Sequence, residues 1–169
     1  MGLHKSFIYF ALATLIMFLV FTLGIFIIES QMIIITSERS EIALISAGWA
    51  GFSEIELSST AVSVPILDRD ISLNKVAAEN TVREFIIKNL ALNANLTAKD
   101  TSFISDSRPI IIEEITVFNP ADLPATASNG SVLNRTTIHM VVQIPIEIAF
   151  VGEVYGRMNV FVDIDSFKN

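Results

Sequence analysis

The residues that could catalyse a reaction or bind a metal are few and widely separated in this sequence. It contains no cysteine and only two histidines, His4 and His139. Thiol catalysis, disulfides and cysteine-based metal sites are therefore excluded. A long apolar segment separates the two histidines, so we expect them not to share a metal site within one domain. His139 also lacks the Gly-x-Ser-x-Gly motif that would accompany it in a hydrolase triad.

The acidic residues do not suggest a catalytic pair either. Glu113 and Glu114 are adjacent in a segment with strand character, where successive side chains point to opposite faces. We therefore expect these two carboxylates to lie apart. Asp163 and Asp165 would share a face, and a solvated pair is the simpler interpretation there. The sequence thus favours a protein that is not an enzyme and needs no cofactor, and no small-molecule substrate is evident.

An uncharged segment near the N-terminus determines where the rest of the chain lies. Residues 7–28 contain 22 positions without Asp, Glu, Lys or Arg. As a helix they would be about 33 Å long, close to the hydrocarbon thickness of a bilayer. We interpret them as a transmembrane helix that follows a short cytoplasmic leader, residues 1–6. A cleavable secretory signal is the alternative, although its apolar region is usually shorter and ends in small residues.

The charge distribution gives the expected orientation and excludes some partners. The chain has 18 acidic and 11 basic residues, a net charge of −7, and every acidic residue follows the apolar segment. An acidic domain disfavours nucleic acid and disfavours electrostatic attachment to anionic lipid headgroups. Lys5 before the apolar segment is nearly balanced by Arg39 after it, but the short leader and its α-amino group predict an N-terminus inside the cell. We therefore expect a single-pass protein of the cell membrane, with lipid around the span and the C-terminal domain outside the cytoplasm.

A helical stripe continues beyond the apolar segment. Its residues recur at intervals of four, three, seven and seven, which is the spacing of one helix face. The stripe consists of Ile28, Met32, Ile35, Ile42 and Trp49. It predicts an amphipathic extension over residues 29–50 that is continuous with the span. Gly24, Glu29 and the stripe from Met32 to Trp49 are candidate packing or assembly residues. An anchor followed by a separate short helix is the alternative.

The rest of the chain, residues 51–169, is long enough for one α+β domain with its own core. Gly48 and Gly51 are expected to end the first helix. The predicted elements are a helix over 74–92, strands over 109–118, 136–150 and 157–165, a turn at 151–156 and a short strand at 61–66. The fold predicted overall is a long transmembrane and amphipathic helix, then a small domain with one helix and a three- to four-stranded antiparallel sheet.

The segment 136–150 has the clearest alternation of apolar and other residues in the chain. It predicts an antiparallel strand with one covered face and one face that tolerates water. Pro145 has no N–H group to donate, so the strand should lie at a sheet edge there or contain a bulge.

Residues 119–135, between the first two of these strands, form a candidate binding loop. Seventeen residues without regular structure are long for a compact domain, and such loops often carry function. The segment is rich in residues that favour turns. Its candidate residues are Asn119, Pro120, Asp122, Leu123, Pro124, Asn129 and Gly130. A membrane-tethered module that binds a protein through this loop, or through a sheet edge, is therefore the alternative to a structural role.

Several short motifs occur in order along the second half of the chain. They are NL at 89–90 with LN at 92–93, ITVFN at 115–119, DLPAT at 122–126, NG at 129–130, TIHMVV at 137–142, VQIPIE at 142–147 and GR at 156–157. With the helix-then-sheet architecture, they resemble the TadE-like, type IV pilin-like pseudopilins of Gram-positive bacteria. The resemblance covers less than half of the chain. It implies no enzymatic activity, but a structural role in a pilus, secretion or adhesion apparatus, in oligomers with other pilin-like subunits.

The leader departs from the pattern of type IV prepilins. These proteins are cut between a Gly and a Phe, and a Glu stands at the fifth mature position. Here Ser6 precedes Phe7 and Ala11 is fifth. We therefore expect the chain not to be cut before Phe7.

Overall fold

The computed structural model, which describes residues 2–56, 71–148 and 151–163, begins with one helix of 50 residues, α1 (Gly2–Gly51). At 1.5 Å per residue α1 is about 75 Å long. The prediction of one continuous helix is confirmed, and the alternative of two separate helices is wrong. Its apolar part has a mean hydropathy of 2.8 and is not buried. α1 is therefore long and apolar enough to cross a membrane, although a signal sequence would meet the same criterion.

The second helix, α2 (Lys75–Asn89), lies within the predicted range 74–92. Asn74 caps it, because the Asn74 side chain accepts a hydrogen bond of 3.1 Å from the Ala77 N–H. Its buried residues, Ala78, Val82 and Ile86, are spaced by four and form one face.

Within the described residues, five strands follow in chain order. They are β1 (Ile111–Phe118), β2 (Ala125–Thr126), β3 (Val132–Leu133), β4 (Thr137–Ile148) and β5 (Gly152–Asp163). β1, β4 and β5 form a three-stranded antiparallel sheet with β4 in the middle, and β2 and β3 form a separate pair. The predicted α+β class and antiparallel sheet are confirmed. β1 pairs with β4 only as far as Gln143, so Pro145 lies beyond the β1 ladder, as its missing N–H requires.

The hairpin of β4 and β5 is longer than predicted. Gly152 pairs with Ile148, and the paired residues continue through 156, a range assigned to a turn by the sequence. Gly152 has a φ of +86°, which glycine adopts without strain, so the chain reverses closer to the end of β4. At Gly156 a Cβ would lie 2.8 Å from the Cδ1 of Ile146, so this glycine accommodates a neighbouring side chain. The predicted strand at 61–66 and the strand end at 164–165 lie outside the described residues.

The core of the domain lies between the two helices and one face of the sheet. It includes Leu44, Ala47, Ala78, Val82, Ile86, Ile138, Met140, Val142, Ile144, Val160 and Val162. A Cβ at Gly48 would lie 2.5 Å from the Cγ2 of Val162, and one at Gly51 would lie 2.7 Å from the Cδ1 of Ile138. Gly51 does end α1, as predicted, but both glycines also let the helix approach the sheet closely.

The other face of the sheet is covered along the first half of β4, contrary to the prediction of a face that tolerates water. Thr137, His139 and Val141 are all buried. The Phe161 ring stacks on the His139 ring with 4.4 Å between the centroids, so a side chain of the neighbouring strand closes over this face. Of the β4 side chains on this face, only Glu147, toward the end of the strand, is exposed.

Candidate functional site

The part of α1 that follows the apolar segment turns one row of residues toward its own domain. This buried row consists of Ser40, Leu44, Ala47, Gly48 and Gly51. Its members are spaced by three or four residues, apart from the adjacent pair at 47–48, as one helix face requires. Small side chains predominate, which is consistent with the close approach to the sheet.

Ile35 and Ile42 of the predicted stripe lie on the opposite side of α1 from this buried row. At about 100° per residue, Ile42 is rotated about 200° from Leu44 and about 180° from Gly51. Ile42 is 66% exposed, Ile35 45% and Met32 63%. These three residues therefore do not contribute to the core of their own domain, and their role in assembly stays a prediction.

The remaining candidate residues of α1 differ from one another in their surroundings. Trp49 packs partly against the domain core, and its ring centroid lies 5.4 Å from that of Phe52. Glu29, just past the apolar segment, is partly buried. At Gly24 a Cβ would meet no atom of the described residues within 4 Å, so the helix surface is open there.

The candidate binding loop at 119–135 contains short regular elements, so it is not irregular over its whole length. Residues Pro120–Asp122 form a 3-10 turn, and β2 pairs with β3. Gly130 has a φ of +87°, and the Asn129 side chain accepts a hydrogen bond from the Ser131 N–H. The turn-forming residues of this segment thus build defined turns.

Two residues of this segment join it to the start of α2. The Oδ1 of Asn119 accepts a hydrogen bond of 2.9 Å from the Leu73 N–H, and its Nδ2 donates one of 2.8 Å to the Leu73 carbonyl. The Nζ of Lys75 lies 2.8 Å from the Oδ2 of Asp122. Hydrogen bonds from Lys75 and from the Asn119 N–H lower the pKa of Asp122. Pro124, Asn129 and Gly130 remain exposed, so a partner of this segment would meet those residues.

Glu113 and Glu114 share one face of the sheet, and the expectation that they lie on opposite faces is wrong. Ile112 pairs with Val142 and Glu114 with Val141, which leaves Glu113 as an extra residue in a β-bulge. The bulge interrupts the alternation of side chains. Glu113 contacts Gln143 and Arg157, the latter at 2.8 Å. Glu114 lies beside His139 on the same face, with 3.4 Å between Oε1 and Nδ1. Hydrogen bonds from Arg157 and Gln143 lower the pKa of Glu113.

His139 is the centre of a buried polar cluster. Its ring is fully buried, and its Nε2 lies 2.7 Å from the Oδ1 of Asn159. The pKa of Glu114 is lowered mainly by a hydrogen bond from Ser128. A hydrogen bond from Thr116 and the nearby His139 lower it further. Ser128 belongs to the segment 119–135, so the cluster ties that segment to the sheet. Within residues 2–56, 71–148 and 151–163, no group of three His, Cys, Asp or Glu side chains could hold a metal ion.

We expect the lowered pKa of Glu114 to make the domain less stable in acid. A carboxyl group whose folded pKa lies below its ordinary value of 4.5 stabilises the fold above that pH, and this contribution is lost as the pH falls through the folded pKa. Glu114→Gln, which cannot titrate, should flatten the decline of the unfolding free energy below about pH 4.5. Urea unfolding between pH 7 and pH 3 measures this decline.

Ser128→Ala tests the cause of that decline. Without the Ser128 hydroxyl the pKa of Glu114 should rise toward its ordinary value, so the variant should also lose part of the acid dependence. Equal pH profiles for the parent chain and both variants would contradict the assignment.

Comparisons with protein-family models, with curated proteins and with solved structures found no match to this chain. Its function is therefore inferred from its own residues and contacts.

Proposed function

We propose that this chain is a single-pass membrane protein and a pilin-like structural subunit of a pilus, secretion or adhesion apparatus at the cell surface. Its N-terminus lies inside the cell and its domain outside. The observation that carries the proposal is α1, whose first part is apolar and exposed and whose last part belongs to the domain core. Because α1 is uninterrupted, packing between the helices of neighbouring subunits would also arrange their domains. The proposed action is assembly and display, without a catalytic step or a cofactor.

The exposed residue Ile42 supports a protein neighbour rather than lipid along the upper part of α1. Ile42 follows Ile28, the last residue of the apolar segment, by 14 positions, which is about 21 Å of helix. The headgroup layer on one side of a bilayer is only about 5–8 Å thick. Ile42 therefore lies beyond the lipid, where burial of its side chain against another subunit would contribute about 1.5–3 kcal/mol.

Cysteine cross-linking tests whether this face contacts a second copy of the chain. The chain has no native cysteine, so single cysteines can be introduced directly. Under mild oxidation in native membranes, Ile42→Cys and Ile35→Cys should form disulfide-linked dimers. Glu41→Cys is the matched control, because Glu41 is also exposed but lies about 100° around the helix. It should remain largely monomeric.

Two outcomes would contradict the proposal. Equal dimer yields from Ile42→Cys and Glu41→Cys would mean that the contacts are random collisions. The orientation is tested by labelling Glu41→Cys with a membrane-impermeant maleimide. If the cysteine is labelled only after the cells are lysed, the proposed orientation is rejected.

A membrane-tethered binding module remains the second candidate. The observation that favours it is the exposed turn around Asn129 and Gly130, next to Val132, which is 66% exposed. If a partner binds there, substitutions in this turn should abolish capture of that partner and leave cross-linking through Ile42→Cys unchanged.

A further inference from the structure

The hairpin of β4 and β5 runs back along α1 toward the apolar segment. At the far end, Gly51 lies against Ile138, the second residue of β4. Further along, Ser40 and Ile144 line a common cavity. Further still, Ile33 and Ile146 line a common groove. The strand β4 is therefore antiparallel to α1 and approaches the part of the helix that precedes the domain.

Helix and strand geometry give the level at which the hairpin ends. The ten residue-to-residue steps from Ile138 to Ile148 extend about 33 Å at 3.3 Å per step. The same length of α1 contains about 22 residues, which leads from Gly51 back to Glu29. The groove that Ile33 and Ile146 both line fits this alignment, because Ile146 lies about 26 Å along the strand. The end of β4 is thus level with Glu29, the first charged residue after the apolar segment.

The tip of the hairpin (Ile148, Val151 and Val154) is apolar and incompletely covered. Val151 is 70% exposed and Val154 36%, and Ile148 is partly buried. The sequence at 148–151, Ile-Ala-Phe-Val, contains no charged or polar side chain. An open groove of about 230 Å³ lies between Ile146, residues 102–105 and Ile33 of α1. The protein itself therefore leaves apolar surface uncovered at the level where α1 would enter a bilayer.

The charged and aromatic residues next to the tip are of the types found at the membrane–water interface. Glu153 is paired with Arg108, whose Nε lies 2.7 Å from the Glu153 Oε2. The Arg108 guanidinium also lies 5.9 Å from the centroid of the Tyr155 ring. Tyrosine is enriched at membrane–water interfaces, and long basic side chains extend toward the headgroups. Glu147, on the outer face of β4, is exposed and remains available to water.

We propose that the hairpin tip inserts into the lipid interface beside α1, as a second contact between the outer domain and the membrane. This inference rests on the transmembrane part of the proposed function and not on assembly. Apolar contact drives the insertion, because a net charge of −7 gives no attraction to anionic headgroups. Two contacts with the bilayer fix the rotation of the domain about α1, and with it the direction in which Ile42 faces.

Spin labels on single cysteines in the full chain, reconstituted in phosphatidylcholine vesicles, test this insertion. Collisions with oxygen report lipid, and collisions with a water-soluble nickel chelate report water. Val151→Cys should collide more with oxygen than with nickel. Val132→Cys is the matched control, since Val132 is 66% exposed but lies near the other end of β4, and it should show the reverse ratio. Ile28→Cys serves as the reference for the span.

Each contrary result has a separate meaning. Nickel access at Val151→Cys equal to that at Val132→Cys, with Ile28→Cys in lipid, would overturn the insertion and leave the span intact. Nickel access at Ile28→Cys would reject the span, and with it the proposed function. Spin–spin broadening at Val151→Cys that disappears on dilution with unlabelled chain would show that a second copy covers the tip, which also overturns the insertion.

Discussion

Leu44→Ala should lower the free energy of unfolding of the outer domain by about 2–5 kcal/mol, whereas Ile42→Ala should change it by less than about 0.5 kcal/mol. Leu44 is fully buried in the core, and Ile42 is 66% exposed. The two side chains are isomers, two positions apart on α1, so the volume lost on truncation to Ala is the same. Urea unfolding of the full chain in detergent, followed by the fluorescence of Trp49, measures both changes.

The same two variants separate folding from assembly. Ile42→Ala should keep the parental stability and lose cross-linking through a cysteine at position 35. Leu44→Ala should assemble only under conditions in which its domain is still folded. If Ile42→Ala costs as much stability as Leu44→Ala, the stripe belongs to the domain's own core, and the assembly proposal loses its main physical support.

The helix of α1 could be predicted from the sequence, but the face that packs on the domain could not. Large apolar residues such as Ile35 and Ile42 dominate the periodic pattern, so they suggested the packing face. The face in contact with the sheet instead contains Ser40, Ala47 and Gly48, whose small size lets the helix approach closely. A row of small residues at intervals of three and four in the sequence could have indicated this packing face. Hydropathy alone does not reveal it, because Ser, Ala and Gly are only weakly apolar.

The sheet shows a similar division between local and tertiary information. The alternation in β4 predicted the strand and its covered face correctly. The bulge at Glu113 depends on pairing with β4, and the cover over His139 depends on Phe161 and Asn159 of β5. Both features depend on contacts between segments that are distant in sequence. The alternation pattern of a single segment therefore cannot predict them.

The segment 119–135 illustrates the same limit for a candidate site. Its composition predicted turns correctly, and length alone suggested an irregular loop. The two hydrogen bonds between Asn119 and Leu73 join residues 46 positions apart, and no local sequence motif predicts them. The structure therefore gives Asn119 a definite role in holding the start of α2 against the end of β1.

Asn119→Ala should consequently destabilise the domain by about 2–4 kcal/mol, because it leaves the buried N–H and carbonyl of Leu73 without their partners. Asn134→Ala is the matched control: it removes an exposed asparagine from the same segment and should change stability by less than about 0.5 kcal/mol. Asn119→Asp should also be destabilised, since a carboxylate accepts from the Leu73 N–H but cannot donate to its carbonyl. Urea unfolding measures all three variants. If Asn119→Ala retains parental stability but no longer binds a partner that the parent chain captures, Asn119 is a recognition residue, and the tethered binding module becomes the better account of this protein.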